Sequence, residues 1–151
     1  MVRLGHALGL LATVMVVAPG TQAKAEVLDA VYRGTLVCDK LPFTPQQMRE
    51  AIEVTISGGT ASYKHIVRLA DKPVAVAEQG TGTVSGQTIS LQGAWKDSGR
   101  AYEAKYSGDF IRRSARLKGT QSWTADGKAI TRNCSGVIKR PLKAFLPRKK
   151  V

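Results

Sequence analysis

From residue 30 onward the hydrophobic positions fall mostly at every second residue, the spacing that puts side chains alternately on the two faces of an extended strand. Ala30 to Cys38 places Tyr32, Gly34, Leu36 and Cys38 on one face and Arg33 and Thr35 on the other. Ala51 to Ser57 alternates through Ile52, Val54 and Ile56, and Gly58-Gly59 supplies a tight hairpin turn into Thr60 to Leu69, which aligns Ala61, Tyr63, His65, Val67 and Leu69. After a turn at Asp71-Lys72-Pro73 comes Val74 to Val84, where Gly80 and Gly82 predict a bend or bulge. Ser85-Gly86 leads into Gln87 to Trp95, with Ile89, Leu91, Gly93 and Trp95 in line, and Lys96 to Arg100 reads as a polar loop. Tyr102 to Ile111 points Tyr102, Ala104, Tyr106, Gly108 and Phe110 one way; Ala115 to Thr124 does so with Leu117, Gly119, Gln121 and Trp123. The last hairpin signal, Asp126-Gly127, opens Ala129 to Lys139, which aligns Ile130, Arg132, Cys134, Gly136 and Ile138.

These are eight strands in sequence, and leucine-rich helical periodicity is absent. One short helix is expected near residues 45–51, because Thr44-Pro45-Gln46-Gln47 has an N-cap, a proline suited to the first helical position and a capping-box partner. The stretch from Gly82 to Gly93 matches that from Gly108 to Gly119 at an offset of 26, each copy one hairpin, which reads as repeated hairpin geometry. The fold class is therefore all-β: a single domain, an eight-stranded antiparallel up-and-down barrel, with an open β-sandwich as the alternative. In strand count and length the mature chain resembles barrels of the lipocalin and avidin type, a likeness of architecture that carries no functional residues with it.

The first 25 residues have the composition of an export signal: Arg3, an apolar run from Leu8 to Ala18, a break at Pro19-Gly20 and the small-residue pattern Ala23-Lys24-Ala25. The run is too short for a transmembrane span, which needs roughly 20 residues. Cleavage between Ala25 and Glu26 is expected, giving a periplasmic or secreted protein whose mature chain lacks a transmembrane segment. Three regions follow: signal peptide 1–25, barrel domain 26–139 and a basic C-terminal tail 140–151. In an oxidising compartment the chain's two cysteines are expected to form a disulfide. If the first and last strands pair antiparallel through Cys38 and Cys134, Leu36 faces Gly136, Gly34 faces Ile138, and the bond seals the barrel.

Charge narrows the partners. Lys and Arg number 23 against 11 Asp and Glu; without Arg3 and Lys24 the mature chain keeps 21 against 11, a net +10. Such an excess attracts anions: an anionic small molecule, an anionic lipid or polysaccharide, or an acidic protein, with nucleic acid disfavoured by export. The stretch from Lys139 to Val151 adds Leu142, Phe145 and Leu146 to six basic residues and no acid, a composition suited to anionic lipid.

Catalytic parts are scarce. His65 is the mature chain's single histidine, which excludes a multi-histidine zinc site, and no nucleophile elbow, metalloprotease helix or phosphate-cradling glycine loop is present. Asp97 or Asp109 near Glu103 offers an acid/base pair in principle, but Glu103 and Asp109 fall on the outer face. No enzyme activity, cofactor or metal is expected. More telling are polar residues whose alternation points inward, His65, Gln121 and Arg132, because an unpaired charge inside a packed barrel costs several kcal/mol. With Tyr63, Trp95, Tyr102, Tyr106 and Trp123 they form the candidate ligand site of an exported, non-enzymatic binding protein. The alternative is a protein-interaction or enzyme-inhibitor barrel, which would present Leu41 to Phe43 as an exposed apolar loop.

Overall fold

A computed structural model of the chain describes residues 28–69 and 72–142. The export segment, its cleavage site and the tail beyond Leu142 lie outside the described residues. Eight strands follow in order: β1 (Ala30–Cys38), β2 (Met48–Ser57), β3 (Thr60–Leu69), β4 (Lys72–Ser85), β5 (Thr88–Lys96), β6 (Arg100–Ile111), β7 (Ser114–Ala125) and β8 (Lys128–Lys139). Each pairs antiparallel with the next, and β1 pairs with β8, so the sheet closes into a barrel. Closure leaves neither edge of the sheet unpaired.

The seam has the expected register: Gly34 opposite Ile138, Leu36 opposite Gly136 and Cys38 opposite Cys134. The two cysteines are bonded, with Cα atoms 4.0 Å apart. Gly58-Gly59 turns with φ of 55° and 77°, and Asp126-Gly127 with 50° and 73°, the paired positive values whose twist matches that of flanking strands in a two-residue hairpin.

Two local expectations are corrected. No helix forms near residues 45–51; β2 begins at Met48 instead. Met48, Arg49, Glu50 and Ala51 stand opposite Cys38, Val37, Leu36 and Thr35, so a helix there would strip the last four residues of β1 of their ladder partners on the side away from β8. The capping signals are spent in a turn, where Leu41 and Thr44 bond to one another's backbones. Nor do Gly80 and Gly82 bulge, since both sit in unbroken ladders with β3 and β5; the irregularity in the β3–β4 ladder falls between Val67 and Leu69.

What those glycines supply is room. A Cβ on Gly80 would lie 2.2 Å from Cε1 of Tyr63, and one on Gly93, its cross-strand partner, 2.3 Å from the Tyr63 hydroxyl. Around the wall, rows of cross-strand neighbours alternate large and small, as in Leu36, Gly136, Leu117, Gly108 and Ile89. A narrow barrel packs without voids when bulk from one strand projects over a gap in the next. The repeated hairpins follow the same rule, with Gly82 opposite Leu91 in one and Gly108 opposite Leu117 in the other.

With an even number of strands, the chain enters β1 and leaves β8 at the same end of the barrel. The loops after β1, β5 and β7 gather at the opposite end, here called the mouth. Tyr32, Phe110, Ala115 and Ile138 fill the end nearer the chain's entry, and the polar interior residues lie toward the mouth.

Reducing the disulfide is expected to lower unfolding stability by about 4 kcal/mol, the chain-entropy value for a loop of this order. Urea denaturation with and without reductant, alongside a Cys38→Ala/Cys134→Ala variant, measures it; equal midpoints would contradict the role of the bond as a seal.

Candidate functional site

All seven residues expected at the site, His65, Trp95, Tyr102, Tyr106, Gln121, Trp123 and Arg132, are buried, and so is Tyr63. Five of these eight, Tyr63, His65, Tyr102, Tyr106 and Gln121, converge on a residue that the alternation pattern had not singled out. Glu78 on β4, fully buried, lies opposite His65 on β3. Its Oε1 accepts a hydrogen bond from the Tyr63 hydroxyl. Its Oε2 accepts from the Tyr102 hydroxyl, from Gln121 Nε2 at 3.0 Å and, at longer range, from the Tyr106 hydroxyl at 3.3 Å and His65 Nδ1 at 3.3 Å. Donors from β3, β6 and β7 thus meet one carboxylate from β4.

The strands position these donors through the large and small rows. Tyr63 reaches Glu78 through the slot left by Gly80 and Gly93. Tyr106 leans over Gly119, where a Cβ would lie 2.7 Å from its Cδ1, and packs edge-on to Tyr63 with centroids 5.8 Å apart. Gln121 is oriented by its two neighbours: its amide nitrogen faces the carboxylate, and its Oε1 accepts from Arg132 Nε at 2.8 Å. Glu78 and Arg132 are therefore joined through one amide rather than in direct contact.

Electrostatics follow from this wiring. Burial on its own pushes the Glu78 pKa up, but hydrogen bonds from His65, Tyr102 and Tyr63 outweigh it and hold the carboxyl below the ordinary 4.5. The tyrosines move the other way: burial, then the adjacent carboxylate, pushes Tyr63, Tyr102 and Tyr106 well above the usual phenol range. They stay donors at any physiological pH. His65 Nε2 is buried without a hydrogen-bond partner among the described residues, as is the Thr44 hydroxyl.

Toward the mouth lies an aromatic layer. Trp95, Tyr102 and Trp123 are direct cross-strand neighbours on β5, β6 and β7, with centroids 5.7 Å apart for Trp95–Tyr102 and 4.4 Å for Tyr102–Trp123. The loop after β1 folds back over this layer. Leu41 is 3% exposed, and Phe43 sets its ring edge-on to Trp123 at 5.3 Å, with the Arg100 guanidinium 5.0 Å from the Phe43 centroid. Of the apolar loop that an inhibitor would present, Leu41 is buried and Phe43 half-buried against Trp123, leaving Pro42 exposed.

Arg132 sits beneath that loop, 3% exposed, its guanidinium 5.3 Å from the Trp123 centroid. Beyond the bond to Gln121, NH1 donates to the Asp39 carbonyl at 3.3 Å, and NH2 contacts the Met48 sulfur at 3.3 Å. No carboxylate among the described residues forms an ion pair with it. A guanidinium carries five N–H donors, so this buried cation is thinly satisfied on the edge that faces the loop.

The carboxylates weighed for acid/base chemistry take other roles. Asp109 accepts from the Thr88 hydroxyl at 2.7 Å and Asp97 from the Ser98 N–H at 2.6 Å, while Glu103 is exposed on the outer face. The histidine–carboxylate contact present in the barrel is that of His65 with Glu78, both fully buried, and its carboxylate is already shared among the tyrosines. Glu78 itself was legible by parity, since it shares a strand face with Gly80 and Gly82. Asp39, by contrast, lies past the end of β1, and Met48 became readable as an inward residue only once β2, rather than a helix, was seen to begin there.

Glu78→Gln is expected to lower stability at pH 7 by about 1.5–3 kcal/mol, the range for hydrogen bonds to a charged group. Because the folded pKa of Glu78 is depressed, its contribution is present above the unfolded value of 4.5 and lost as pH falls through the folded one. Denaturation midpoints from pH 7 to pH 3 should therefore fall less steeply in the variant than in the wild type; parallel curves would remove Glu78 as a source of acid sensitivity.

No protein-family model and no curated protein sequence matches this chain, so the chemistry of the site rests on the residues just described.

Proposed function

We propose that the chain is exported and, with residues 1–25 removed, serves in the periplasm or outside the cell as a non-enzymatic binding protein for an anionic small molecule or cell-envelope component. The observation that carries this reading is Arg132: a buried cation on an aromatic face, held by one short hydrogen bond, a longer one and a thioether contact. A carboxylate or phosphate oxygen pair on its loop-facing edge would replace the two weaker contacts with charge-assisted bonds in the bidentate geometry that guanidinium favours. Trp95, Tyr102 and Trp123 supply the flat apolar walls such a site needs, and Gln121 fixes the guanidinium plane. Glu78 acts as the anchor that orders Gln121. The net +10 of the mature chain draws anions toward the barrel over longer range.

Native mass spectrometry of the mature protein, purified from the compartment to which its own cell exports it, tests the reading. A co-purifying anion of defined mass, absent from an Arg132→Gln variant that keeps the wild-type circular dichroism spectrum, is the expected result. Apo protein whose tryptophan fluorescence also ignores millimolar benzoate and inorganic phosphate would overturn it, and a co-purifying protein would point to an interaction role instead.

A further inference from the structure

The end of the barrel opposite the mouth carries a second surface, independent of the site above. Ile111 is 74% exposed and Leu142 is 78% exposed, far beyond the other exposed large hydrophobic residues among the described ones, Val31 at 36% and Val137 at 40%. Both belong to this end. Ile111 is the last residue of β6, and Leu142 lies three residues past the end of β8. The two segments are tied together: the Arg140 N–H donates to the Arg113 carbonyl at 2.8 Å, and Arg113 NH2 donates to the Pro141 carbonyl at 2.9 Å.

Between and beside the two apolar side chains stand Arg112, Arg113, Lys139 and Arg140. Arg112 turns the chain at φ 57°, a left-handed conformation that β-branched residues avoid, and both Arg112 and Arg113 are exposed. Two carboxylates on strands or segments reaching this end, Asp29 and Asp109, are engaged elsewhere. Asp29 accepts from the Gly58 N–H, and Asp109 from the Thr88 hydroxyl. Beyond Leu142 the sequence adds Lys143, Phe145, Leu146, Arg148, Lys149 and Lys150, the same two chemistries again.

We propose that this end of the barrel docks on an anionic lipid surface, with Ile111 and Leu142 entering the interface and the four cations lying among the headgroups. Charge complementarity selects the lipid, because a solvated basic face needs no protruding aliphatic side chains, whereas an interface rewards both together. A soluble acidic polymer would use the cations and leave Ile111 and Leu142 unused. Docking in this way turns the mouth away from the membrane.

Flotation of the mature protein with phosphatidylcholine vesicles, with or without about one third phosphatidylglycerol, provides the test. Partitioning onto the anionic vesicles alone is expected, weakening as salt is raised through the Debye regime. Ile111→Ser/Leu142→Ser should reduce it about five-fold or more at low salt, since each aliphatic side chain withdrawn from the interface forfeits much of its transfer free energy. Arg112→Asn/Arg140→Gln should reduce it by a similar or larger factor, each basic residue near an anionic surface being worth roughly a five-fold change. Ile111, Leu142 and Arg112 are exposed and Arg140 is partly so, and unchanged thermal midpoints confirm that the variants fold. Equal binding to neutral vesicles, no binding to either kind, or a serine variant that binds as the wild type does would overturn the proposal. The last result, together with competition by a soluble acidic polysaccharide, would assign the surface to polyanions instead.

Discussion

A carboxylate enclosed in a barrel is the constraint on which much of this interior depends. Glu78 cannot be left without donors, because an ion withdrawn from water loses several kcal/mol of solvation that only hydrogen bonds and opposite charge restore. Tyr63, Tyr102, Tyr106, Gln121 and His65 answer that demand from three other strands. Each answer adds a demand of its own. The tyrosine rings need gaps in the neighbouring strands, which glycine provides at 80, 93 and 119, and Gln121 needs a donor for its carbonyl, which Arg132 provides. Bulk, gap and charge are therefore not separate features of the interior but one arrangement read from different sides.

The consequence is an interior of two characters. Where Tyr32, Phe110, Ala115 and Ile138 meet, packing is aliphatic and aromatic and tolerates no polar group without a partner. Toward the mouth, order comes from directional bonds converging on one pair of oxygens, which hold side chains in single orientations more firmly than dispersion contacts do. A guanidinium presented from such a scaffold has its plane already set, which is the preorganisation that the proposed anion binding calls for.

Much of this was legible in the chain. Period-two alternation placed all eight strands within a few residues, and the two cysteines, one on β1 and one on β8, gave the register of the seam once the sheet was taken as closed. The same parity put His65, Gln121, Arg132 and the aromatic residues inside. Glu78 escaped notice because the glycines beside it drew a reading of backbone bend, when they were making space for a ring on the next strand; a gap and a bulge look alike in one dimension. The segment from Thr44 to Ala51 misled for a different reason. Capping residues state a local preference, and the ladder partners required by β1 are a long-range demand that overrode it. The contacts of Asp39 and Phe43 with the mouth depend on how a nine-residue connection folds back, which no periodicity encodes.

The even strand count has a practical side. Because the chain enters β1 and leaves β8 at one end, a label, fusion partner or immobilising linker joined directly before β1 or after β8 is attached at the end away from the mouth. Molecules captured on a solid support by such a handle would all present the loop that carries Phe43 to the bulk solution, an orientation set by topology before any chemistry of attachment is chosen.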